Sequence, residues 1–586
     1  MEKQRILLNP LNLAYKYQHY GKAAHREAAD PTLILFKGRY YLFASMSGGF
    51  YHSKDLLNWE WHENRKLELY RYAPDVRQIG CDLIFCASSR SENSAFYRTQ
   101  DPLSDQFEKV SEPFAFWDPD LFQDDDGRVY LYWGCDAGKP IYGQELDPRT
   151  LLPIGERKEL IFARKEEHGW ERQEFPGRTR EKQSVGMKLL YMMMALSGRK
   201  ADDPFIEGAY MNKFDGRYYL QYAAPATEIA TYADGVYVGA HPLGPFVYQS
   251  SNPFSSKPGG FITGAGHGST IEDECGNLWH SSTMRISVNA GFERRVGLFP
   301  AGLDRDGVLF CNQNYADWPL QIPEGRFDPW DIRPNWMLLS YRKHAEASSS
   351  LPDHQPVFAL DEDICTCWCA CSTQAWYLLD LGKNCDVRAV QINFADVGVP
   401  LLRKPRTECS DLQTNRRYID TDPSLFTRWL LEASTDGVKW TVVEDKRRAS
   451  SDFAHDCVYP ERLKSRYLRL TVTELPYGKK CALSGLRVFG EPVGPVPELV
   501  EQAACIPVDT MSVRLTWPSS RNALGYLVRY GVAPEKLYLS HMVYGKNEAL
   551  LTTLNQGQDY WYCIDSFGEG GIQTGTIQKM TGGKQK

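Results

Sequence analysis

The sequence lacks the features that mark membrane proteins and nucleic-acid-binding proteins. The N-terminal stretch MEKQRILLNPLNLAYKY has no apolar run of about seven residues, and no later stretch approaches the length of a membrane span. There is no stripe of clustered Lys and Arg, and the net charge is -7, which argues against a nucleic-acid partner. We therefore expect a cytoplasmic chain that binds neither membranes nor nucleic acid.

Cysteine is present, but not in a pattern that indicates disulfides or zinc knuckles. The 15 cysteines are odd in number and scattered, which favours reduced thiols. The stretch CTCWCAC, residues 365–371, has a cysteine at every second position, which in a strand points all four to one face. Two interpretations remain open, a metal site and the apolar packing of small side chains, and the spacing favours packing.

Length and aromatic content indicate several β-rich domains. A chain of 586 residues is too long for one hydrophobic core. Hydrophobic residues at 42% and charged residues at 24% are typical of a globular protein. The aromatic content of 13% suits both β-strands and surfaces that stack on sugars.

One motif recurs five times in about the first 320 residues, and such repeats decide the architecture of a long β-rich chain. Each copy is a strand, a turn that contains Gly and a second strand, as in hairpins with Lys-Gly or Asp-Gly turns. The copies are ADPTLILFKGRYYLFAS (29–45), YAPDVRQIGCDLIFCAS (72–88), WDPDLFQDDDGRVYLYWG (117–134), IEGAYMNKFDGRYYLQYA (206–223) and GHGSTIEDECGNLWHSS (266–282).

Five hairpin units predict an all-β chain that begins with a five-bladed β-propeller, residues 1–322, whose four-stranded sheets surround a central channel. The longer gaps between copies would carry insertions. The polar stretch 164–184, RKEEHGWERQEFPGRTREKQS, is predicted to be one of them. The alternative fold is an array of β-sandwiches with accidental similarity, and the propeller is favoured.

Two further modules are predicted after a linker at 323–335. Residues 336–490 contain AWYLLDLG, LLEASTDGVKW and SGLRVFG, which resemble a discoidin-like (coagulation-factor type C) jelly roll. This resemblance implies either glycan binding or docking against the propeller. After a proline-rich linker at 491–498, residues 499–582 resemble a small fibronectin type III sandwich.

The leading residue of each copy has a shared position in this fold. In a propeller the innermost strands all start at the same end of the channel, so these residues would project into one funnel. Three acids in one pocket repel each other, which raises the pKa of at least one and permits a general acid at neutral pH. The leading residues are Asp30, Ala73, Asp118, Glu207 and His267.

Other acids in the repeats have structural interpretations. Asp75 is out of register with the leading residues and is expected to be a local capping or turn residue. Asp124, Asp125 and Asp126 lie beside Gly127 in a hairpin tip, where Asp is favoured for its backbone hydrogen bonds.

Five ordered motifs resemble glycoside hydrolase family 43, a family of five-bladed propellers, over about residues 8 to 322. They are ADP (29–31), YAPDV (72–76), WDPDLF (117–122), IEGAY (206–210) and GAGHGS (264–269). The resemblance implies that Asp30 is the general base, that Asp118 tunes the pKa and orientation of the acid, and that Glu207 is the general acid. These roles imply single-displacement hydrolysis with inversion.

The resemblance also implies ligands for substrate and metal. His267 would contact substrate beside a water-coordinated Ca²⁺ or Na⁺ ion, and no organic cofactor is implied. The sugar-contacting arginine is assigned to Arg295, with Arg294 as the competing choice. Tyr72 stands where the family usually has Trp, so the shape of the sugar-facing wall is open.

Aromatic side chains are candidates for the terminal-sugar pocket, although core packing is the default for each. Phe50, Tyr51 and Trp117 are the candidates within the repeats. His168 and Trp170 either reach the sugar from the insertion or belong to a surface loop.

The favoured function is an exo-acting inverting hydrolase that releases a terminal pentose, α-L-arabinofuranose or β-D-xylose, from plant-derived oligosaccharides. A β-galactosidase or galactofuranosidase of the same family is one alternative. A retaining fructan hydrolase is disfavoured, because the chain has Ala-Asp-Pro-Thr-Leu where those enzymes need Asn-Asp-Pro-Asn-Gly. A non-catalytic sugar-binding propeller is the alternative from another class, and the three acids count against it.

Overall fold

The computed structural model describes residues 5–20, 23–64, 67, 72–89, 92–178, 203–286, 291–399, 407–410, 416–420 and 422–580. Within these ranges the regular elements are β-strands and five short 3₁₀ helices, so the all-β prediction is confirmed. None of the helices described there is long and apolar enough to cross a membrane. The 3₁₀ helices are Pro102–Ser104, Gly169–Glu171, Pro329–Asp331, Pro356–Ala359 and Pro476–Gly478.

Each of the five sequence motifs forms the first hairpin of an antiparallel sheet. We number these sheets 1 to 5 in chain order. Sheet 1 contains Ala29–Phe36, Arg39–Ser45, Gly49–Ser53 and Glu60–Glu63; sheet 2 contains Asp75–Ile79, Asp82–Cys86, Phe96–Thr99 and Glu108–Ser111; sheet 3 contains Asp120–Gln123, Val129–Trp133, Ile141–Leu146 and Pro153–Ile161. Sheet 4 contains Asp136–Ala137, Phe205–Phe214, Arg217–Ala224, Ala233–Gly239, Phe246–Tyr248 and Ser255–Ser256; sheet 5 contains Thr263–Glu272, Leu278–Arg285, Arg294–Leu303 and Leu309–Cys311.

The turns of these hairpins have the chemistry that the sequence indicated. Lys37 and Gly38 have φ values of 50° and 73°, and Asp215 and Gly216 have values of 48° and 74°. Two successive left-handed residues are the signature of a type I′ turn, whose twist matches that of the flanking strands. The Lys-Gly and Asp-Gly pairs therefore set the strand register in sheets 1 and 4.

The five sheets close into a ring through their first strands. Ala29–Phe36 contacts Asp75–Ile79, and the contacts continue in chain order to Thr263–Glu272, which contacts Ala29–Phe36 again. For sheet 4 the strand on this circuit is Phe205–Phe214. Near the two ends of this region, Ile6–Leu7 pairs with Leu320–Gln321. The starts of five first strands are thereby brought to one place.

Residues beyond the ring form one large sheet and two small ones. The large sheet, called the middle sheet, has an apolar core that includes Trp368, Tyr377 and Trp429. Its strands are Met337–Leu338, His344–Ala347, Trp368–Cys369, Ala375–Phe394, Arg428–Ser434, Thr441–Asp445, His455–Val458, Leu463–Glu474 and Ala482–Gly490. The C-terminal sheets are Ala504–Asp509, Ser512–Thr516 and Glu548–Leu551, and Gly525–Gly531, Leu539–Tyr544, Trp561–Gly568, Gly571–Gln573 and Gln578–Lys579.

The cysteine-rich stretch does not form the continuous strand that its spacing suggested. Only Trp368–Cys369 is a strand there, so the four cysteines do not share one face. Cys367 and Cys369 are buried, Cys365 is half-buried and Cys371 is exposed. The two buried thiols pack with Ala395 and Ala482, in line with the packing interpretation.

A four-stranded antiparallel sheet joins the start of the chain to residues after the ring. Lys16–Tyr20 pairs with Ala23–Glu27 on one side and with Arg416–Asp420 on the other, and Thr407–Ser410 completes the sheet. Beside it, the fully buried Arg26 guanidinium donates to the Asp396 carboxylate at 2.8 and 3.1 Å. The Lys479 ammonium contacts the same carboxylate.

The predicted insertion after sheet 3 is partly visible, since its residues 179–184 lie outside the described ranges. His168 and Trp170 are buried, and neither lies in an exposed loop. His168 stacks on Tyr248 at 3.7 Å and forms a β-bridge with Asn555 of the C-terminal region. Arg172 bonds Asp509 at 2.9 Å. The visible part of the insertion thus docks on the C-terminal sheets.

The Arg26–Asp396 pair gives a test of how tightly the parts are joined. Burial opposes ionisation of Asp396, but Arg26 and Lys479 outweigh it and hold its pKa well below the usual range. Asp396→Asn removes the carboxylate that pairs with the buried Lys479 and one of the two carboxylates, Asp396 and Asp452, that pair with Arg26. It should cost about 3–5 kcal/mol, seen as a lower Tm in calorimetry. Asp445→Asn, which breaks an exposed pair with Arg447, is the matched control and should leave Tm unchanged. An equal effect of both substitutions would contradict a structural role for the buried pair.

Candidate active site

The leading residues of the five motifs, called heads below, share an unusual backbone conformation at or next to each position. The φ values are 49° at Asp30, 44° at Ala73, 50° at Asp118 and 50° at His267. In sheet 4 the left-handed residue is Gly208, with φ 61°, directly after Glu207. A left-handed residue other than Gly costs about 1–2 kcal/mol, and such strain concentrates at functional sites.

Side chains from the preceding sheet hold these heads by their backbone N–H groups. The N–H of Ala73 donates to Ser45 Oγ at 2.7 Å, and that of Asp118 donates to Ser88 Oγ at 2.9 Å. The same arrangement joins sheet 5 to sheet 1, because the N–H of Asp30 donates to Thr283 Oγ1 at 2.7 Å. These bonds fix the heads despite their strained backbone.

His267 lies between two of the predicted catalytic acids. Its Nδ1 is 3.6 Å from Asp30 Oδ1 and 3.7 Å from Asp118 Oδ2. Asp30 and Asp118 are only 5% and 3% exposed. Ligand oxygens of Asp118 and Glu207 lie within 4.8 Å of each other. The structure therefore brings Asp30, Asp118, Glu207 and His267 into one pocket.

The backbone around His267 is built for this approach. Its N–H donates to Asp234 Oδ1 at 2.6 Å, and His280 contacts the other oxygen of Asp234 at 3.0 Å. A Cβ atom at Gly208 would lie 2.7 Å from Cγ of His267. Gly208 is therefore required for both its left-handed φ and the close packing of the imidazole.

The charges in the pocket shift the pKa values of Asp30 and Asp118 in opposite directions. Burial opposes ionisation of Asp30, but Arg294 and His267 outweigh it and lower its pKa. Burial raises the pKa of Asp118 to about 7, with a further contribution from the Glu207 carboxylate. Burial also opposes protonation of His267, but the surrounding carboxylates raise the pKa of the imidazole. At neutral pH the pocket thus holds Asp30 as an anion and Asp118 near half-protonation.

Both oxygens of Glu207 have polar partners. The Tyr232 hydroxyl donates to Oε1 at 2.6 Å, and the Cys135 thiol contacts Oε2 at 3.1 Å. Burial, together with the Glu207 carboxylate, raises the pKa of Tyr232 well above its usual value, so the phenol stays a donor. These contacts fix the orientation of the Glu207 carboxyl.

The structure favours Arg294 over Arg295 as the arginine of the site, which corrects the first choice made from the sequence. The Arg294 guanidinium is 3.1 Å from Asp30 Oδ1 and also bonds Glu27. The Arg295 guanidinium instead bonds His455 Nε2 at 2.8 Å in the middle sheet. Neighbouring residues of one strand point to opposite faces, so only one of the two can face the acids.

The predicted aromatic residues divide between pocket and core. Tyr72 and Trp117 are half-buried with ring centroids 6.4 Å apart, and the Arg294 guanidinium lies 5.8 Å from the Tyr72 ring. Phe50 has no exposed surface and stacks on Phe43 at 4.7 Å, so its predicted place in the pocket is wrong. Tyr51 is likewise fully buried.

Asp75 also differs from its predicted local role. It is buried, and its Oδ2 accepts the backbone N–H of Leu121 at 2.7 Å, which links sheet 2 to sheet 3. Its position in the motif predicted that Asp75 lies outside the pocket, but the sequence did not reveal its long-range contact with Leu121.

Several pocket residues were missed from the sequence. Ser45 ends the second strand of copy one, and Ser88 and Cys135 follow shortly after the second strands of copies two and three. This shared register was a usable signal. Tyr232 lies between two motifs, and nothing in its local pattern marks it.

The side chains around His267 bear on the expected Ca²⁺ or Na⁺ ion. Hard cations take oxygen ligands, six to eight for Ca²⁺. Within the described ranges, the one group of three His, Cys, Asp or Glu ligand atoms is that of Asp118, Cys135 and Glu207, without His267. This group does not include His267, and the water-coordinated Ca²⁺ or Na⁺ ion beside His267 stays a prediction.

Comparison with known proteins supports the expected family. Residues 24–309 match the family model described as Glycosyl hydrolases family 43. A beta-xylosidase of Xylanibacter ruminicola is 34% identical over 145 residues, which are 22% of this chain and 39% of that protein. A xylosidase/arabinosidase of Bacteroides ovatus is 29% identical over 136 residues, again 22% of this chain and 39% of that protein.

The chain thus spans about two fifths of the length of these curated relatives. A solved structure described as a glycoside hydrolase aligns with 79% of this chain and 97% of its own at 16% identity, with a TM-score of 0.44. The family match supports the prediction that this chain is a glycoside hydrolase.

The raised pKa of Asp118 can be measured without any substrate. We expect a carboxyl proton that is lost with a pKa of about 7 in infrared titration and is missing in Asp118→Asn. Because the folded-state pKa exceeds the unfolded value, the linked stability is complete below about pH 4 and declines as pH rises to about 7. Asp126→Asn, in the exposed hairpin tip of sheet 3, should leave the titration unchanged. Loss of the Asp118 proton near pH 4 would contradict the crowded-acid pocket.

Proposed function

We propose that this chain is an exo-acting inverting glycoside hydrolase that releases a terminal pentose, α-L-arabinofuranose or β-D-xylose, from plant-derived oligosaccharides. The observation that carries the proposal is the approach of His267 to Asp30 and Asp118, with Glu207 beside Asp118. Three acids from sheets 1, 3 and 4 reach one pocket, which supplies the pair of carboxyl groups that acid–base hydrolysis of a glycosidic bond requires.

Asp30 is the proposed general base. Its carboxylate is held ionised by Arg294 and accepts the Ser45 hydroxyl at 2.7 Å. An ionised, fixed carboxylate can remove a proton from the water that attacks the anomeric carbon. Single displacement then inverts the configuration, and it requires a separation of roughly 6.5–9.5 Å between the two carboxyl groups for that water.

Glu207 is the proposed general acid, and Asp118 is its modulator. Glu207 donates its proton to the glycosidic oxygen as the bond breaks, and Tyr232 and Cys135 orient its carboxyl. Asp118 places a second carboxyl within 4.8 Å of Glu207. Repulsion between neighbouring carboxylates disfavours their joint ionisation, which helps to retain a proton on the pair.

The pentose assignment rests on the names of the relatives, a beta-xylosidase and a xylosidase/arabinosidase. Arg294 and His267, with Tyr72 and Trp117 at the wall, are the proposed substrate contacts. A water-coordinated Ca²⁺ or Na⁺ ion at His267 remains a prediction, and no step above uses it.

The finer architecture is part of the same proposal. The ring of five sheets is interpreted as the five blades of a propeller, residues 1–322. The middle sheet is interpreted as a discoidin-like module, residues 336–490, and the C-terminal sheets as a fibronectin type III-like module, residues 499–582, with linkers at 323–335 and 491–498. The contact of Arg295 with His455 favours docking of the middle module on the ring.

The activity is tested with nitrophenyl α-L-arabinofuranoside, β-D-xyloside, β-D-galactoside and galactofuranoside. We expect hydrolysis of a pentoside, with the inverted anomer as the first product in ¹H NMR. Preference for a galactoside would replace the proposed sugar, and a retained anomer would overturn the roles of Asp30 and Glu207.

The same assay tests the two catalytic acids. Asp30→Ala and Glu207→Gln should each lower kcat by about 10²–10⁴-fold or more, because each removes one proton transfer. Asp126→Asn serves as the folded control with a lost surface carboxylate. Wild-type turnover in either catalytic variant would end the assignment.

Arg294 should set the acidic limb of the pH–rate profile. Removing the guanidinium in Arg294→Met raises the pKa of Asp30, so the base becomes protonated at higher pH. The acidic limb of kcat/KM should therefore move to higher pH, apart from any loss of substrate binding. Arg295→Met, on the opposite face of the strand, should lower Tm without moving that limb.

A further inference from the structure

The Cys135 thiol takes the place that a serine hydroxyl takes in the neighbouring sheets. Ser45 and Ser88 lie at or just after the end of a second strand, and each contacts the carboxylate at a strand head, Asp30 at 2.7 Å and Asp118 at 3.3 Å. Cys135 follows the second strand of sheet 3 and contacts Glu207 Oε2 at 3.1 Å. The carboxylate of Glu207 thus has a sulfur partner where Asp30 and Asp118 have a serine oxygen.

The backbone fixes Cys135 against both acids. The N–H of Gly134 donates to the carbonyl oxygen of Trp117 at 2.9 Å, which holds the residue before Cys135 next to Asp118. On the other side, Asp136 pairs with Ile206 in a β-ladder, which holds the residue after Cys135 next to Glu207. The thiol is therefore placed by two backbone contacts rather than by a free loop.

We propose that Cys135, Glu207 and Asp118 form a site for a thiophilic divalent cation, such as Zn²⁺ or Cd²⁺, that blocks the catalytic acid when occupied. Their three ligand atoms lie within 4.8 Å of one another and come from three different parts of the chain. Water completes the coordination. The inhibition part of this proposal rests on the proposed function, whereas cation binding does not.

The spacing suits a small tetrahedral ion. Zinc lies about 2.3 Å from a thiolate sulfur and about 2.1 Å from a carboxylate oxygen, so two such ligands are separated by about 3.1–3.6 Å at angles of about 90–110°. The observed 3.1 Å between Cys135 Sγ and Glu207 Oε2 falls at the lower end of this range. A thiolate also selects such ions over Ca²⁺ and Mg²⁺.

Cation binding involves no change of oxidation state and needs no redox partner. The thiol releases its proton to solvent as the sulfur–metal bond forms, and the carboxylates bind as anions. The cation also relieves the repulsion between Asp118 and Glu207, which otherwise disfavours two charges in a buried place. A metal-bound Glu207 has no proton to donate, so the hydrolase stops.

The site is open to ions from solution. Cys135 and Glu207 are half-buried, whereas Asp118 is buried behind them. Cys135 also lines a groove of about 520 Å³ together with Trp117, Trp133 and Lys139. A hydrated ion can therefore reach the thiol without opening of the ring.

Cation binding is tested by titrating the full-length reduced protein with CdCl₂ and recording the thiolate-to-cadmium charge-transfer band. We expect Cys135→Ser to remove a saturable part of the band, and Glu207→Gln to keep that part but weaken its affinity by about 10- to 100-fold. Cys275→Ser, at an exposed cysteine in the hairpin tip of sheet 5, controls for scattered thiols. A band unchanged in Cys135→Ser, or affinity unchanged in Glu207→Gln, would overturn the site.

Inhibition is tested separately with ZnCl₂ on the hydrolysis of the preferred nitrophenyl glycoside. Each variant is compared with its own activity without zinc. Half-inhibition of Cys135→Ser should require at least about tenfold more zinc than that of the wild type, and Cys275→Ser should match the wild type. Equal sensitivity of Cys135→Ser and wild type would refute a blocking site. If no glycoside is hydrolysed, the cadmium band still decides whether the site exists.

Discussion

The grouping of three acids in one pocket, two of them buried, is the constraint on which the rest of the structure depends. Unpaired carboxylates taken from water cost several kcal/mol each, so the pocket must supply opposing charge and hydrogen bonds. Arg294 and His267 supply the charge, and Ser45 and Tyr232 supply hydrogen bonds. The compensation is unequal. It lowers the pKa of Asp30, the proposed base, while the pKa of Asp118, the carboxyl beside Glu207, is raised to about 7.

Closure of the ring makes this compensation possible. Thr283 of sheet 5 holds the backbone of Asp30, and Ser88 of sheet 2 holds that of Asp118, so each head depends on the sheet before it. An open row of sheets would leave Asp30 without both Thr283 and Arg294. The left-handed heads add strain that only a closed, over-determined arrangement retains. Closure of the ring therefore sets both the geometry and the electrostatics of the pocket.

The regions after the ring support it through buried polar contacts. Asp396 joins Arg26 to Lys479. Arg295, which directly follows Arg294 in the sequence, bonds His455. One strand of sheet 5 thus presents Arg294 to the pocket and Arg295 to the middle sheet. Because adjacent residues alternate faces, a shift of that strand would disturb both contacts together. This coupling gives the middle sheet a physical connection to the acids.

Sequence pattern alone predicts the all-β class, the five hairpins and the acids that lead them, because turn chemistry and strand alternation are local properties. It also set Asp30, Asp118, Glu207 and His267 in one register. Long-range packing distinguishes Arg294 from Arg295, places Phe50 in the core and brings Tyr232 and Cys135 to Glu207. The physical reason is that which face of a strand meets the channel, and which segments pack beside it, depends on contacts between residues far apart in the chain.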